Sequence, residues 1–401
     1  MEKERRLAGG GLALIGVLLV AANLRPSITS VGPVIGDIEA TTGISTAEAS
    51  LLVSLPVVCF AITSPIAPRL AGRFRMRTLL AVSLLALAAG IVLRSVPVDA
   101  FLWVGSVLIG APIGLMNVLL PALVKRDFPD RIGRVTGLYA GVMTGVAALA
   151  SGIAVPIAGE EQEGWRLAIG VWAGLALIGA AFLLFLVRSH PNVHVHEHRE
   201  HLPTGGFFWR SPLAWQATGF MSASCAGFYA FIAWWPSITQ EDGFSDSAAG
   251  LQLFALQGVA VVSSLAGASL IQRGVSQPAI GVGVGLLNVV ALAGMLLLPD
   301  LAFAWAVLAG VAAGAMMVFA LSLFGLRTRD GDDAASLSGM GQTVGYAIGA
   351  VFPFLLGALE DVTGSWTVPL LVLLGVAVVQ AGFGRLAGRD RYVTRGGDVA
   401  G

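Results

Sequence analysis

The sequence predicts an all-α membrane protein with twelve transmembrane helices arranged as two six-helix, pseudo-symmetric halves. Three observations predict it. Of 401 residues, 56% are hydrophobic and 12% are charged, where a soluble domain carries roughly a quarter charged. Apolar runs long enough to cross a bilayer core, about 20 residues each, recur along the whole chain. Lysine and arginine gather in alternate loops, as the positive-inside rule requires of a chain that crosses repeatedly.

Taken in order, the runs fall near 8–35, 49–69, 78–96, 101–124, 135–158 and 167–187. After a polar stretch, six more fall near 213–237, 248–271, 279–298, 302–326, 336–358 and 366–386. The expected organisation is an N-terminal six-helix half at 1–187, a cytoplasmic histidine-rich linker at 188–212, a C-terminal six-helix half at 213–386 and a cytoplasmic tail at 387–401. With the N-terminus in the cytoplasm, every lysine and arginine falls on that side except Arg94 and Arg166, placed outside, and Arg25, placed within the first run. The expected location is therefore the plasma (inner) membrane, multi-pass, with both termini cytoplasmic. Trp103, Trp165, Trp209, Trp215, Trp234, Trp235, Trp305 and Trp366 sit near run ends, as an interfacial belt does. Reading residues 1–30 as a cleaved signal peptide would leave eleven runs and break the two-half pattern, so the first run is read as a span.

Composition also excludes. Net charge is zero and the pI is near 7.0, so nothing points to a nucleic-acid partner. Cys59 and Cys225 lie inside apolar runs, which indicates neither a disulfide framework nor a zinc site. Glycine is abundant, at 52 residues, as close helix packing in lipid favours. At a shift of 200 residues Gly110 and Gly114 meet Gly310 and Gly314, and Gly141 and Gly145 meet Gly341 and Gly345. Two parallel six-helix halves with a solute site between them near the midplane is a transporter plan.

Arg25 is the sharpest single signal. It lies past the middle of the first run, where an arginine costs about 2.5–3.5 kcal/mol on translocon scales. A guanidinium there is expected to face a cavity, and its planar fork of five donors suits small anions. Asn23 beside it can hydrogen-bond, and Pro26, lacking an N–H, frees a carbonyl one turn upstream. Uncharged polar residues in other runs complete a candidate substrate-binding set: Asn117, Tyr139, Tyr229, Gln257, Gln342 and Tyr346. Gln342 and Tyr346 stand four apart and share a helix face. Each of these residues also has a structural reading, as interhelical glue.

The two-half plan resembles the major facilitator superfamily. Pro68-Arg69-Leu70-Ala71-Gly72-Arg73-Phe74-Arg75-Met76-Arg77, between the second and third runs, is similar to that family's loop signature G-x-L-a-D-r-f-G-r-r, which implies a gating loop carried by Leu70, Arg73, Phe74 and Arg77. Proline stands for the first glycine, Gly72 for the acid and Arg75 for the second glycine. Within the superfamily the chain resembles cyanate permeases and nitroimidazole transporters (the CynX/NimT type). That likeness rests on Asn23-Leu24-Arg25-Pro26, on Asn117-Val118-Leu119-Leu120-Pro121 with Lys125-Arg126-Asp127-Phe128-Pro129, and on Leu337 through Tyr346. It implies a secondary transporter working by alternating access, with its site between the two halves near Arg25 and a compact, cyanate-like anion as cargo. The alternatives are an efflux carrier for small neutral heterocycles or drugs, nitroimidazole-like, and a non-transporting membrane sensor. Flux separates the sensor from the carriers.

No aspartate, glutamate or histidine lies inside a run. Proton relays within membranes commonly use those residues, so transport is expected to be facilitated, exchange-driven or coupled through a proton that the solute carries. Asp37, Glu39 and Glu48 at run ends are the next relay candidates. Moving an anion into a negative-inside cell is opposed by about 2.3 kcal/mol per 100 mV, whereas efflux is favoured. His190, His194, His196, His198 and His201 crowd the linker, but without cysteine or fixed ligand spacing the segment reads as a solvated connector and no metal is expected. The chain has neither a His-Glu-x-x-His helix nor paired core carboxylates, so no enzyme, cofactor or catalytic residue is expected. The expected partners are a small solute and the lipid bilayer, and the expected state is a monomer.

Overall fold

Inside a bilayer no water reaches backbone N–H and C=O groups, so an apolar chain satisfies them within helices. The computed structural model describes residues 2–44, 46–189, 207–394 and 399–400. Span 1 is Glu2–Ala22, continued by the short helix Pro26–Thr29 and, past a 3-10 turn, by Ile35–Thr42. Spans 2 to 6 are Thr46–Thr63, Met76–Ser95, Asp99–Asp127, Ile132–Ala158 and the pair Trp165–Gly170 and Trp172–Ser189. Spans 7 to 12 are Pro212–Glu241, Asp246–Gln272, Gln277–Leu297, Ala302–Leu326, Gly331–Thr363 and Thr367–Ala387. Among the described residues, ten of these are long and apolar enough to cross a membrane. The other two are spans 2 and 7. Span 7 has 30 residues, ample length, but Gln216, Ser222, Ser224 and Tyr229 dilute its hydropathy. The linker histidines lie at 190–206, outside the described residues.

The first run departs most from its expected form; the sixth is also split, at Val171, and the second ends its long helix at Thr63. Rather than one helix through 8–35, the chain breaks at Asn23–Arg25 and restarts at Pro26, because proline has no N–H to continue the ladder.

The chain packs as two compact units. The first holds Met1–Pro129, Val142–Thr204 and Gly331–Gly339; the second holds Asp130–Gly141, Gly205–Asp330 and Met340–Gly401. In the first, span 4 lies against spans 1, 2 and 3, and span 6 against spans 1 and 3. In the second, span 10 lies against spans 7, 8 and 9, and span 12 against spans 7 and 9. Each pairing recurs six spans later, as an internal repeat demands.

The repeat reaches single residues. A Cβ on Gly110 would stand 2.7 Å from Cys59 Cβ and Pro56 Cα, and one on Gly114 would strike Thr63 and Phe60. A Cβ on Gly310 would strike Leu256, and one on Gly314 would strike Ala260 and stand 2.7 Å from the Ser264 nitrogen. Span 4 therefore approaches span 2 as span 10 approaches span 8, with glycine at the crossing each time. The turns after spans 1 and 7 carry positive-φ glycines, Gly43 at 71° and Gly243 at 91°. Trp165 Nε1 donates to Thr41 Oγ1 at 2.9 Å, and the Trp366 backbone N–H donates to Glu241 Oε2 at 2.9 Å, so the start of span 6 ties to the end of span 1 as span 12 ties to span 7. The Gly141/Gly341 coincidence has no such counterpart: Gly141 faces Leu265, Gly341 faces Phe324, and a Cβ on Gly145 meets nothing within 4 Å.

Local capping starts the spans of the second unit. Ser211, Ser245 and Ser276 each accept a backbone N–H three residues on, from Ala214, Ala248 and Ala279, at the N-caps of spans 7, 8 and 9. The segment after span 12 folds back onto the end of span 10. Arg327, 1% exposed, donates to the carbonyls of Gly388 and Arg391 at 3.4 Å and lies 3.7 Å from Asp390. Burial pushes its guanidinium below the ordinary arginine value, and Asp390 opposes that shift.

Because the span 8–span 10 crossing has no room for a side chain, Gly314→Val is expected to destabilise the protein by about 1–3 kcal/mol, read as a lower thermal-unfolding midpoint in detergent. Gly145→Val, entering open space, is expected to leave the midpoint in place.

Candidate functional site

The break in span 1 is built from its own sequence. Asn23 N–H and Leu24 N–H reach back only three residues, to Val20 and Ala21, so the helix tightens as it ends. Asn23, 2% exposed, turns its amide inward and donates to the Leu19 carbonyl at 2.8 Å and the Leu175 carbonyl at 3.3 Å. It thereby satisfies a carbonyl of the ending helix and pins span 1 to span 6. The short helix beyond is fastened by Thr29, whose hydroxyl reaches the carbonyls of Arg25 (3.3 Å) and Ala147 (3.0 Å). Arg25 is the residue on the turn itself, with φ −127° and ψ −37° and a half-buried side chain. Its carrier is a helix discontinuity within a membrane-embedded segment, the kind of element that lines solute sites in transporters.

A second arginine holds this break in place. Arg94, read from the sequence as an outer-side charge, is 1% exposed in the last turn of span 3. Its Nη2 donates to the Ser27 carbonyl at 2.6 Å. It fits because span 4 presents Gly105, whose Cβ would stand 2.6–2.8 Å from the Arg94 backbone and Cβ. Arg94 Nε is buried without a hydrogen-bond partner, as are the Ser27 and Ser30 hydroxyls. Arg166, also expected outside, lies at 16% side-chain exposure, donates to the Val96 carbonyl at 3.1 Å and pairs with Glu163 at 3.3 Å.

The other candidates divide between the units. Asn23, Arg25 and Asn117 belong to the first; Tyr139, Tyr229, Gln257, Gln342 and Tyr346 belong to the second. Asn117, Tyr139, Gln342 and Tyr346 are buried, Tyr229 is half-buried against Gly349, and Gln257 is exposed on span 8. Gln342 and Tyr346 stand one turn apart on span 11, at 0% and 2% exposure. Asn23, by its two carbonyl bonds, acts as a brace for the break that carries Arg25.

In the loop after span 2, Arg73 and Phe74 are exposed and Leu70 is half-buried. Arg77 pairs with Asp127 at the end of span 4, 2.9 Å away, and Arg126 Nε shares the same carboxylate at 2.8 Å. The acid that Gly72 does not provide is thus supplied from another helix. Sequence reading missed Asp127 because it looked for that partner within the loop.

A further buried polar chain crosses the second unit. Asn288 Nδ2 donates to Gln380 Oε1 at 2.9 Å, and Gln380 Nε2 donates to Ser224 Oγ at 2.8 Å. It links spans 9, 12 and 7 by neutral groups, each more than nine-tenths buried. The only sequence signal for it was an amide in each of two otherwise apolar runs. Among the described residues no group of three His, Cys, Asp or Glu residues converges to hold a metal.

Comparison with known proteins follows the same line. The Major Facilitator Superfamily model matches residues 12–350. The chain is 37% identical over 380 residues to the 2-nitroimidazole transporter of Escherichia coli (strain K12), covering 95% of this chain and 96% of that one. It is 26% identical over 379 residues to the cyanate transport protein CynX of the same organism, covering 92% and 96%. Among solved structures it is similar to FucP, a Major Facilitator Superfamily transporter, with a TM-score of 0.77 at 12% identity over 94% of this chain and 98% of that one. At that identity the likeness concerns the fold, which is the twelve-helix, two-half plan.

Because Arg94 clamps the restart of span 1, Arg94→Ala is expected to raise amide hydrogen exchange across residues 26–31 by about tenfold or more, as locally opened segments do. Exchange in span 9 is expected to stay unchanged in the same peptide map.

Proposed function

This chain belongs to the Major Facilitator Superfamily and is a multi-pass membrane transporter, not an enzyme, and on that premise we propose that its cargo is a compact anion bound by Arg25. The observation that carries the reading is the placement of Arg25 on the break of span 1. The backbone that carries this guanidinium is braced by Asn23, Thr29 and Arg94 and is already ended and restarted, so a solute meets it without further unwinding. Its planar fork matches a small delocalised anion through two parallel hydrogen bonds. Asn117, Tyr139, Tyr229, Gln257, Gln342 and Tyr346 are the proposed neutral contacts, and Leu70, Arg73, Phe74 and Arg77 the proposed gating loop, held through Asp127. The proposed halves are residues 1–187 and 213–386, working by alternating access as a monomer. The proposed setting is the plasma membrane with both termini cytoplasmic, which the distribution of lysine and arginine supports.

None of the twelve apolar runs carries an acidic residue or a histidine, which supports facilitated or exchange transport over a proton relay within the protein. A second reading, a carrier of small neutral heterocycles, is favoured by one observation: identity to the 2-nitroimidazole transporter exceeds identity to the cyanate carrier, 37% against 26%. Nitro oxygens also accept hydrogen bonds from a guanidinium, so Arg25 serves either cargo.

Counterflow in proteoliposomes tests the assignment. Arg25→Gln is expected to lower cyanate counterflow by about 10- to 100-fold, the worth of one or two charge-assisted hydrogen bonds. Undiminished cyanate counterflow in the variant contradicts the proposal. Movement of 2-nitroimidazole but not cyanate by the wild type selects the second reading.

A further inference from the structure

The chain beyond span 12 is fastened at both ends of a short path. Span 12 ends at Ala387, and the next residue presses on the start of span 9, since a Cβ on Gly388 would stand 2.5 Å from the Pro278 nitrogen. One turn earlier Gly384 meets Gly281, where a Cβ on either would stand 2.6 Å from the other's backbone. The segment therefore leaves from a fixed point on the second unit. It then passes over the end of span 10. Arg327 Nη2 donates to the Gly388 carbonyl and Nη1 to the Arg391 carbonyl, each at 3.4 Å. Val393 N–H donates to the Arg327 carbonyl at 2.9 Å, and the Val393 side chain is wholly buried. Arg327 thus both gives to the segment and accepts from it. The returning chain backs this contact, because Arg391–Tyr392 pairs antiparallel with Val399–Ala400.

The residue so held stands where the chain changes unit. Span 10 ends at Leu326 and span 11 starts at Gly331, which leaves a turn of four residues. Span 10 belongs to the second unit, Gly331–Gly339 to the first, and span 11 returns to the second at Met340. In the first unit the start of span 11 is closely packed. A Cβ on Gly331 would stand 3.3 Å from the Ala122 carbonyl and Arg126 Cβ, and one on Gly339 would stand 2.8 Å from Pro68 Cγ. A short connection of this kind absorbs the backbone rotation when packed units move. Arg329 and Asp330 in the turn are exposed, whereas Arg327 and Thr328 are buried. The bonds to residues 388–393 take Arg327 out of the set that is free to rotate.

We propose that residues 388–394 are a strap that restrains the turn between spans 10 and 11 and slows the release of residues 331–339 from the first unit. The inference rests on the alternating-access part of the proposed function and is independent of what Arg25 binds. The strap is weak enough to be a restraint and not a lock. Two of its hydrogen bonds are long, and Asp390, 3.7 Å from Arg327, has a side chain 79% exposed, so its charge is screened by water.

Thiol alkylation of the full-length protein in detergent, mapped peptide by peptide, tests this without any solute. Leu337→Cys places a thiol at a fully buried position of the 331–339 segment. Native Cys59, buried where span 2 crosses span 4, reports loss of the fold. Val393→Pro removes the N–H that the Arg327 carbonyl accepts, and a chain ending at Arg389 removes the Arg391 carbonyl as well. In the Leu337→Cys protein each change is expected to speed N-ethylmaleimide labelling at position 337 about tenfold, the worth of one or two hydrogen bonds. Labelling at Cys59 is expected to stay unchanged. One labelling rate at position 337, with the strap intact or released, overturns the proposal and leaves alternating access standing. A thiol there that reacts in neither protein overturns the strap together with alternating access at this segment. Parallel acceleration at position 337 and Cys59 in both released proteins also overturns it, since the segment then holds the fold and not the turn.

Discussion

A membrane helix that stops midway leaves backbone groups in a place where water cannot reach them, and each unsatisfied group costs several kcal/mol. Span 1 stops at Asn23 and restarts at Pro26, and the rest of the first unit is arranged to make that stop tolerable. Asn23 takes the Leu19 carbonyl, Thr29 takes that of Arg25, and Arg94 takes that of Ser27. Span 6 and span 5 accept the remaining bonds through Leu175 and Ala147. Arg25 is thus displayed by a turn braced from three other helices, which gives a charged group in an apolar environment a fixed address.

The second unit answers the same demand differently. Its equivalent helix, span 7, runs unbroken from Pro212 to Glu241, and it joins spans 9 and 12 through the neutral amides of Asn288 and Gln380 with Ser224. The two units therefore share a scaffold of glycine crossings, turn glycines and tryptophan ties while differing in what they bury. The first buries Arg94 beside a break, and the second buries Arg327 at the end of span 10 and a neutral amide network within continuous helices.

How much of this could be read in the sequence follows from what each feature depends on. Span positions depend on local apolar composition, which survives in any window. The Gly110/Gly310 and Gly114/Gly314 matches were visible because a helix crossing needs a missing side chain at a fixed position, while Gly141/Gly341 looked equally good and has no common contact. Pro26 marked a freed carbonyl one turn upstream, but the run was read as continuous through 35, because apolar composition alone does not show where a helix stops and restarts. The burial of Arg94 was not legible because it depends on Gly105 of a different helix, and a charge at the end of an apolar run looks like a loop charge. Asp127 was passed over for the same reason: its partner Arg77 is fifty positions away in sequence.

The central claim is that Arg25 meets the solute. Chemical modification of wild-type protein by an arginine-directed dicarbonyl reagent, mapped by peptide mass spectrometry, tests it without altering the site. With cyanate present, modification at Arg25 should slow while modification at exposed Arg73 and Arg210 proceeds unchanged. Equal modification of Arg25 with and without the anion, in protein that still transports it, would contradict the account.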